Sequence, residues 1–258
     1  MLTKTVDFSK YSSLKIGQEV EVTLLDKADD YSDEYFFIGG ANNLLLSPTP
    51  PKLMMLSKKY DYIKIEDNLL KIGGATPSGK VASFCKKHNI ANFEFLSHLP
   101  GKMGGLVYMN AGLKEYEIFN FLYDVTTIEK KFLKDEIIYE YRRTNIKKPI
   151  IEVTFLVENG FDNEKVELFK KMRSNQPKLP SAGSCFKNPK GDYAGRLIEA
   201  VGLKGYRVGA MEFSSIHANF LVNHGAGEYK DAIYLIEEVQ KRVFKEFGVK
   251  LELEIQIL

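Results

Sequence analysis

Two glycine-rich segments have residue types and spacing that suggest chemistry. They are Gly39-Gly40-Ala41-Asn42-Asn43 and Pro100-Gly101-Lys102-Met103-Gly104-Gly105, the second running on to Asn110-Ala111-Gly112. Backbone N–H groups clustered in such loops can hold a phosphate when no Cβ stands in the way. Neither loop has the dinucleotide-binding or Walker spacing of glycines, and a single glycine loop is most often only a turn. Two such loops favour a large phosphate-bearing cofactor.

A pair of arginines occurs in Tyr141-Arg142-Arg143-Thr144, which we predict to end a strand. Neighbouring side chains of an extended chain point to opposite faces, so at most one arginine faces a site. An inward Arg142 would offer a planar fork of donors that suits a carboxylate or a phosphate. We interpret Arg143 as a solvated charge.

A hydroxyl, a thiol, a cation and an amide lie close together in Pro180-Ser181-Ala182-Gly183-Ser184-Cys185-Phe186-Lys187-Asn188-Pro189. The segment has no G-x-S-x-G elbow, which disfavours a hydrolase serine. It could instead be a polar loop with a capping serine. Cys185 could be a reactive thiol, although a lone cysteine is more often a small buried residue.

The remaining titratable residues give weaker signals. None of the four histidines is spaced as a zinc-binding pair, so we expect no metal. His88 fits the edge of a core, and His217 fits a structural hydrogen-bonding residue near the strand it precedes. Glu252 and Glu254 lie on the polar face of a terminal strand, and the pattern alone predicts both to be solvated.

The elements that position these residues follow from hydrophobic periodicity. In the first half we predict a strand at 35–38, a hairpin at 62–72, and a helix with Thr76 as N-cap and Pro77 as its first residue. The four glycines of 99–112 argue against a packed helix or strand there. Further along we predict strands at 125–128, 137–141, 150–157, 220–222 and 251–257 and helices at 166–172, 194–201 and 230–247, with a domain boundary at Asn159-Gly160.

Composition excludes several classes of protein. The chain has 258 residues, 44% hydrophobic and 27% charged, as in globular proteins, and its net charge of +2 provides no basic field for nucleic acid. No apolar run approaches the ~18 residues of a membrane span, and no signal peptide is visible. Two cysteines are too few for a disulfide framework. We therefore expect a soluble, cytoplasmic protein with no membrane or nucleic-acid partner; no oligomer is implied.

Taken in order, these segments resemble the UDP-N-acetylenolpyruvoylglucosamine reductase (MurB) family. The resemblance covers nearly the whole chain. It rests on the glycine segment at 100–112, Tyr141-Arg142-x-Thr144, the segment at 180–189, Ala194-Gly195-x-Leu197-Ile198, Gly202-Leu203-Lys204-Gly205, His217-Ala218-x-Phe220 and Leu251-Glu252-x-Glu254. The short span between Arg142 and Ser184 leaves little room for a substrate lid, which indicates the lidless subclass.

The resemblance implies an α+β fold: a two-subdomain FAD-binding module of the vanillyl-alcohol oxidase (PCMH) type, followed by an α+β substrate-binding domain. We accordingly divide the chain into 1–73 and 74–160 as the two FAD-binding subdomains, and 161–258 as the substrate domain. The implied reaction is the NADPH-dependent reduction of enolpyruvyl-UDP-N-acetylglucosamine to UDP-N-acetylmuramate in peptidoglycan precursor synthesis. FAD is implied to be bound non-covalently, and the implied partners are the UDP-sugar and NADPH.

The resemblance also implies a role for individual residues. Ser184, Arg142 and Glu254 match the catalytic positions: the serine supplies a proton, the other two stabilise charge, and flavin N5 supplies the hydride. Arg142, Lys187 and Asn188 match substrate-holding positions. The implied flavin contacts are Gly39, Gly40, Ala41, Asn42, Asn43, Gly101, Gly104, Gly105, Asn110 and Gly112.

Two other hypotheses stay open. One is a different oxidase or dehydrogenase on the same flavin fold, because a fold does not fix a function. The other is a non-catalytic nucleotide-binding module, which the Arg142, Ser184 and Glu254 set disfavours.

Overall fold

The computed structural model describes residues 1–258, which form a mixed α and β structure. The helices are α1 (Phe8–Tyr11), α2 (Ser78–Lys87), α3 (Met103–Tyr108), α4 (Asn163–Met172), α5 (Ala194–Ala200) and α6 (Tyr229–Phe247). The strands are β1 (Leu2–Asp7), β2 (Glu19–Leu25), β3 (Phe36–Phe37), β4 (Leu44–Leu45), β5 (Leu53–Leu56), β6 (Ile63–Glu66), β7 (Leu69–Gly73), β8 (Gly112–Leu113), β9 (Tyr116–Glu117), β10 (Leu122–Thr127), β11 (Lys131–Leu133), β12 (Tyr139–Glu140), β13 (Arg143–Thr144), β14 (Ile150–Leu156), β15 (Ser181–Ser184), β16 (Arg207–Val208), β17 (Met211–Phe213), β18 (Phe220–Asn223) and β19 (Gln256–Ile257).

The chain forms two compact units. The first consists of residues 1–4, 22–40 and 52–174. Its main sheet has the strand order β11-β10-β14-β7-β6, with every pair antiparallel. A second sheet, β1-β2-β5-β3, has parallel pairs on both sides of β5. The core of this unit packs one face of the main sheet against α2 and α3, and Val125, Val153 and Val81 are fully buried in it.

The second unit consists of residues 5–21, 41–51 and 175–258. Its four-stranded sheet has the order β15-β18-β17-β16, and β19 pairs in parallel with β4. Helix α6 packs its apolar stripe, which includes Leu235, Val239 and Val243, into the core. It ends at Gly248, whose φ of +67° is the left-handed conformation typical of a helix C-cap.

Most of the predicted elements are confirmed. The hairpin at 62–72 is β6 and β7, and the strand at 150–157 is β14, the central strand of its sheet. The long terminal helix and the helices near 166–172 and 194–201 are also present. Helix α2 begins one residue later than predicted, with Pro77 as its N-cap, because the Thr76 hydroxyl donates to the Tyr62 carbonyl instead of capping the helix.

Three expectations about local structure are wrong. Part of the glycine-rich segment forms helix α3, because the Gly104 backbone packs closely on Gly74 and Ile150. The predicted strand at 137–141 is only Tyr139–Glu140, and the chain then turns at Tyr141 and Arg142. The terminal strand is interrupted by a bend at 254–255 between an isolated bridge at Leu253 and β19. The division into 1–73, 74–160 and 161–258 assigns binding functions and stays a prediction.

Candidate active site

Helix α3 brings two glycines of the second segment to different environments in the first unit. The helix is held at its start by Met103 N–H, which donates to the Thr76 carbonyl, and by Gly104 N–H, which donates to the Gly74 carbonyl. A Cβ on Gly104 would lie 2.9 Å from the Ile150 carbonyl oxygen, whereas a Cβ on Gly105 would have no neighbour within 4 Å. Gly104 is therefore required by packing, and Gly105 is not.

Gly39, from the first glycine segment, lies beside Gly105. The only neighbour of a Cβ on Gly39 would be the Gly105 Cα, at 3.8 Å. The two glycine segments thus meet in the first unit, with open space where side chains would stand. Such a cradle fits a flat or phosphate-bearing group that must approach the backbone closely.

Other predicted flavin residues of the first unit also have structural functions. Gly101 is close-packed against the Leu106 side chain, and a Cβ on Gly112 would collide with the Tyr116 carbonyl across the β8–β9 hairpin. The fully buried Asn110 donates from Nδ2 to Glu117 Oε2 at 2.8 Å and accepts from Phe119 N–H at 3.4 Å. These contacts shape the loop; the flavin contacts of Gly40, Gly101, Gly104, Asn110 and Gly112 stay predictions.

Arg142 lies in the two-residue turn between β12 and β13. Its φ is +56°, a left-handed backbone conformation that is costly for a residue with a Cβ. The guanidinium donates from Nη1 to the Asn110 carbonyl at 3.3 Å and from Nη2 to the Gly112 carbonyl at 3.1 Å, and only 16% of the side chain is exposed. The arginine is therefore fixed beside the second glycine segment. Arg143 is exposed, as predicted.

The last residues of the first glycine segment belong to the second unit. Ala41 is buried with a φ of +50°, and its carbonyl accepts from Ser13 N–H at 3.1 Å. Asn42 Nδ2 donates to Ser13 Oγ at 2.8 Å. Asn43 Nδ2 donates to the Glu254 carbonyl at 2.8 Å. These side chains fix the loop, and their predicted flavin contacts stay predictions.

Ser184 ends strand β15 directly after an irregularity in its pairing with β18. Ser181 pairs with Val222 and Ser184 with Phe220, so β15 has one extra residue. Gly183 accommodates this extra residue by adopting a φ of +80°, a conformation that glycine tolerates. The bulge leaves Ser184 lining a cavity, whereas Cys185 is 0% exposed. Burial, together with the Glu254 carboxylate, raises the pKa of the Cys185 thiol well above its usual range.

The two C-terminal glutamates differ in environment. The Glu252 side chain is 75% exposed and faces Lys187 across 3.6 Å. Glu254 is half-buried, and its backbone N–H donates to the Cys185 carbonyl at 2.9 Å. Both glutamates lie on the segment bonded to residues 185–187, through the Glu252 carbonyl and the Glu254 N–H, but only Glu254 has a partly buried side chain. The expectation from pattern alone that both glutamates are solvated holds only for Glu252.

The cavity beside Ser184 has a volume of about 290 Å³ and lies within the second unit. Asn188, a predicted substrate residue, lines it and caps α5 by accepting from Ala194 N–H at 3.1 Å. Lys187 does not line it. Besides Ser184 and Asn188, its lining comprises Tyr193, Gly195, Arg196, Glu199, Lys204, Ile216, His217, Ala218 and Asn219.

Sequence reasoning assigned no site role to most of these lining residues. Lys204 and His217 lie in motifs that carry the family resemblance, which was the available signal. Lys204 pairs with Glu199 at 3.0 Å, and Arg196 Nε donates to Asp192 at 2.7 Å. Burial, with a smaller effect of Lys204, lowers the pKa of His217, so the ring is neutral near pH 7 and its Nδ1 accepts from Asn219 N–H at 3.3 Å.

Comparison with known proteins agrees with this arrangement. Residues 175–258 match the UDP-N-acetylenolpyruvoylglucosamine reductase C-terminal domain. The chain is 47% identical to a Helicobacter hepaticus UDP-N-acetylenolpyruvoylglucosamine reductase over 262 residues, covering 100% of both chains. It is 46% identical to the Campylobacter jejuni enzyme over 258 residues, covering 98% of this chain and 99% of the relative. The crystal structure of the Thermus caldophilus reductase superposes with a TM-score of 0.87 at 27% identity, covering 100% of this chain and 99% of that one.

The predicted fold class is confirmed: a PCMH-type flavin-binding module is followed by an α+β substrate-binding domain. The protein is a flavin-dependent oxidoreductase that acts on small molecules. The open glycine cradle of the first unit agrees with this class. The chain belongs to the UDP-N-acetylenolpyruvoylglucosamine reductase family, which acts in peptidoglycan synthesis. None of its helices combines the length and the apolar composition that a transmembrane segment requires.

Proposed function

We propose that this enzyme uses NADPH and non-covalently bound FAD to reduce UDP-N-acetyl-3-O-(1-carboxyvinyl)-glucosamine to UDP-N-acetylmuramate in the cytoplasm. The observation that carries the proposal is the position of Ser184. Its hydroxyl lines a cavity that also contains cations, an amide and an aromatic ring. A proton donor at the wall of a polar cavity suits a reaction that adds hydrogen across a double bond.

The cavity suits the nucleotide part of the substrate. Arg196 and Lys204 can neutralise a diphosphate, and the exposed ring of Tyr193 offers a surface for a base or sugar. Lys187 and Asn188 lie three and four positions after Ser184 in the chain, so they are expected to hold the substrate near the reacting carbon. Acidic partners at Asp192 and Glu199 keep the two cavity cations in place.

Charge stabilisation falls to Arg142 and Glu254. When hydride is added to the terminal carbon of the enol ether, negative charge develops on the neighbouring carbon and its carboxylate. The Arg142 guanidinium, already oriented by two backbone carbonyls, is the group expected to stabilise that charge. Glu254 is expected to assist by sharing a proton with the developing enolate.

Ser184 is the proposed general acid. The carbanion-like intermediate is basic enough to take a proton from a hydroxyl, so a thiol with a lowered pKa is not needed. Cys185 is a poor alternative, because it is fully buried and its pKa is raised.

The flavin is expected to lie on the glycine cradle formed by Gly39 and Gly105. When bound there, the flavin would supply the hydride-transfer chemistry between NADPH and the substrate alkene. The open space at these glycines supports a close backbone approach. Neither cysteine is available for a covalent link to it, because both are buried.

Anaerobic stopped flow with the purified protein tests the proposal. The protein should be yellow, and denaturation should release FAD. NADPH should bleach the flavin absorbance, and only the enolpyruvyl nucleotide should restore it. Alcohols and sugars serve as the control, because reoxidation by one of them would favour the alternative of another oxidase or dehydrogenase. Flavin that remains with the unfolded chain would contradict non-covalent binding.

A further inference from the structure

Asn219 is a buried side chain to which the proposed mechanism gives no role. It is 3% exposed and immediately precedes strand β18. Its side-chain amide bonds to both backbone polar groups of one residue: Phe186 N–H donates to Oδ1 at 3.0 Å, and Nδ2 donates to the Phe186 carbonyl at 2.7 Å. The side chain therefore acts on the segment that carries Ser184.

These bonds extend the ladder between β15 and β18. The last regular pair is Ser184 with Phe220, and the next bond is Cys185 N–H donating to the Asn219 carbonyl at 2.7 Å. Beyond it, the Asn219 side-chain amide replaces the backbone amide that a longer β18 would supply. The Asn219 side chain thereby holds the chain after Ser184, which bends at Cys185 beyond the end of its partner strand.

The opposite edge of the same segment is bonded to the chain around Glu254. The Cys185 carbonyl accepts from Glu254 N–H at 2.9 Å, and Lys187 N–H donates to the Glu252 carbonyl at 2.9 Å. The Glu254 carbonyl in turn accepts from Asn43 Nδ2. Residues 184–187 thus lie between Asn219 on one edge and the Glu254 segment on the other.

We propose that Asn219 is a positioning residue that fixes the Ser184 hydroxyl relative to Glu254 for proton delivery. It acts through the backbone of Cys185 and Phe186, because its own carbonyl accepts from Cys185 N–H and its side-chain amide bonds both backbone polar groups of Phe186. The inference rests on the proposed function of Ser184. Small displacements of a catalytic group can cost on the order of 10²-fold in rate, so the orientation of this segment is expected to matter for the proton step.

Asn223, the last residue of β18, provides a matched control at the other end of the same strand. It is 1% exposed, and its side chain also bonds only backbone groups, including the Leu14 carbonyl at 3.0 Å and Gly225 N–H at 2.8 Å. None of these partners belongs to residues 184–187. Replacing Asn219 removes two side-chain hydrogen bonds and replacing Asn223 removes four, so a general loss of stability should be at least as large in Asn223→Ala. The two variants therefore separate loss of stability from loss of positioning.

The test compares Asn219→Ala with Asn223→Ala by thermal unfolding and anaerobic stopped flow. Both variants should lower Tm. Only Asn219→Ala should lower the limiting rate of flavin reoxidation by the enolpyruvyl nucleotide, on the order of 10²-fold, while the apparent Kd of the nucleotide and the rate of reduction by NADPH change little. Equal effects of the two variants, or a change confined to the apparent Kd, would overturn the proposal.

Two further measurements keep the proposal testable if Asn219→Ala folds poorly. Asn219→Asp keeps the size and the acceptor for Phe186 N–H but removes the donor to the Phe186 carbonyl, and it should also slow reoxidation; an unchanged rate would overturn the proposal. Hydrogen exchange at the Phe186 amide should be faster in Asn219→Ala than in Asn223→Ala. A wild-type enzyme that is not reoxidised by the nucleotide would instead refute the proposed function.

Discussion

Arg142 in the first unit and Ser184 in the second are positioned by different kinds of backbone. Arg142 lies in a two-residue turn with a left-handed φ of +56°, and its side chain is held by the carbonyls of Asn110 and Gly112. Ser184 lies on an extended strand that is paired on one edge with β18 and bonded beyond its end to Asn219 and the Glu254 segment.

This difference indicates how each site should respond to substitution. A ladder of backbone bonds survives the loss of one side chain, so a change at Ser184 removes chemistry and leaves the geometry. The Arg142 turn is held partly by the guanidinium itself, so a change there alters both the charge distribution and the local geometry. Substitutions at both residues and in their surroundings test this contrast.

Ser184→Ala should give the largest loss. The variant should bind FAD and be reduced by NADPH normally, yet reoxidation by the enolpyruvyl nucleotide should slow ~10²–10⁴-fold, the usual contribution of a positioned proton donor. Anaerobic stopped flow measures both steps. Cys185→Ala is the control and should keep most of the activity while losing some packing stability. If Cys185→Ala abolishes turnover and Ser184→Ala does not, the assignment is reversed.

Arg142→Lys should slow the same step by ~10²–10³-fold, the typical cost of losing an electrostatic stabiliser. Lysine keeps the charge but cannot bond two carbonyls with a planar fork. Reduction by NADPH should survive. The exposed neighbour provides the control, because Arg143→Lys should leave both half-reactions unchanged. Similar losses from the two variants would show that the effect does not depend on the guanidinium held by the two carbonyls.

Glu254→Gln should impair reoxidation in the same direction, because the amide cannot share a proton with the developing enolate. Glu252→Gln should have little effect, since that side chain is 75% exposed. The comparison by stopped flow is informative because the two glutamates are two residues apart on one segment. Equal effects would mean that the wrong glutamate has been assigned to the site.

Gly105→Ala and Gly104→Ala should separate cofactor binding from folding. A Cβ on Gly105 enters open space, so the apoprotein should keep its Tm while the affinity for FAD falls about tenfold or more, a cost of ~1.4 kcal/mol. A Cβ on Gly104 meets the Ile150 carbonyl, so this variant should lose ~1–3 kcal/mol of folding free energy. FAD titration and thermal unfolding of apoprotein are the measurements. Unchanged FAD affinity in Gly105→Ala would place the flavin elsewhere.

His217 should make the smallest contribution, seen in the pH dependence of stability. Burial lowers the pKa of His217, so below its ordinary value near 6.5 the unfolded chain binds a proton that the folded chain does not. The free energy of unfolding should therefore fall as pH drops from about 6.5 toward the folded pKa. Urea unfolding between pH 5 and 7 should show a flatter dependence of the free energy of unfolding on pH in His217→Gln than in the wild type; an unchanged dependence would contradict this assignment.

Local patterns in the sequence predicted much of the scaffold. The period of α6, its Gly248 cap, the β6–β7 hairpin and β14 all depend on residues within a few positions of one another. The divergence of Ser184 and Cys185 also follows from the alternation of an extended chain, and the structure confirms that Cys185 is buried. The recognised motifs predicted the family, and the comparisons confirm it.

How the residues of the candidate site are held in place is determined by tertiary contacts and not by the local sequence. Helix α3 forms despite its glycines because the Gly104 backbone packs on Gly74 and Ile150, partners that no local propensity encodes. The Arg142 turn is held by carbonyls about thirty positions away in the chain. Asn43 and Glu254 meet across a sequence separation of 211 residues. Local residue order determines where strands and helices begin, whereas contacts between distant segments determine which of two neighbouring side chains faces the chemistry.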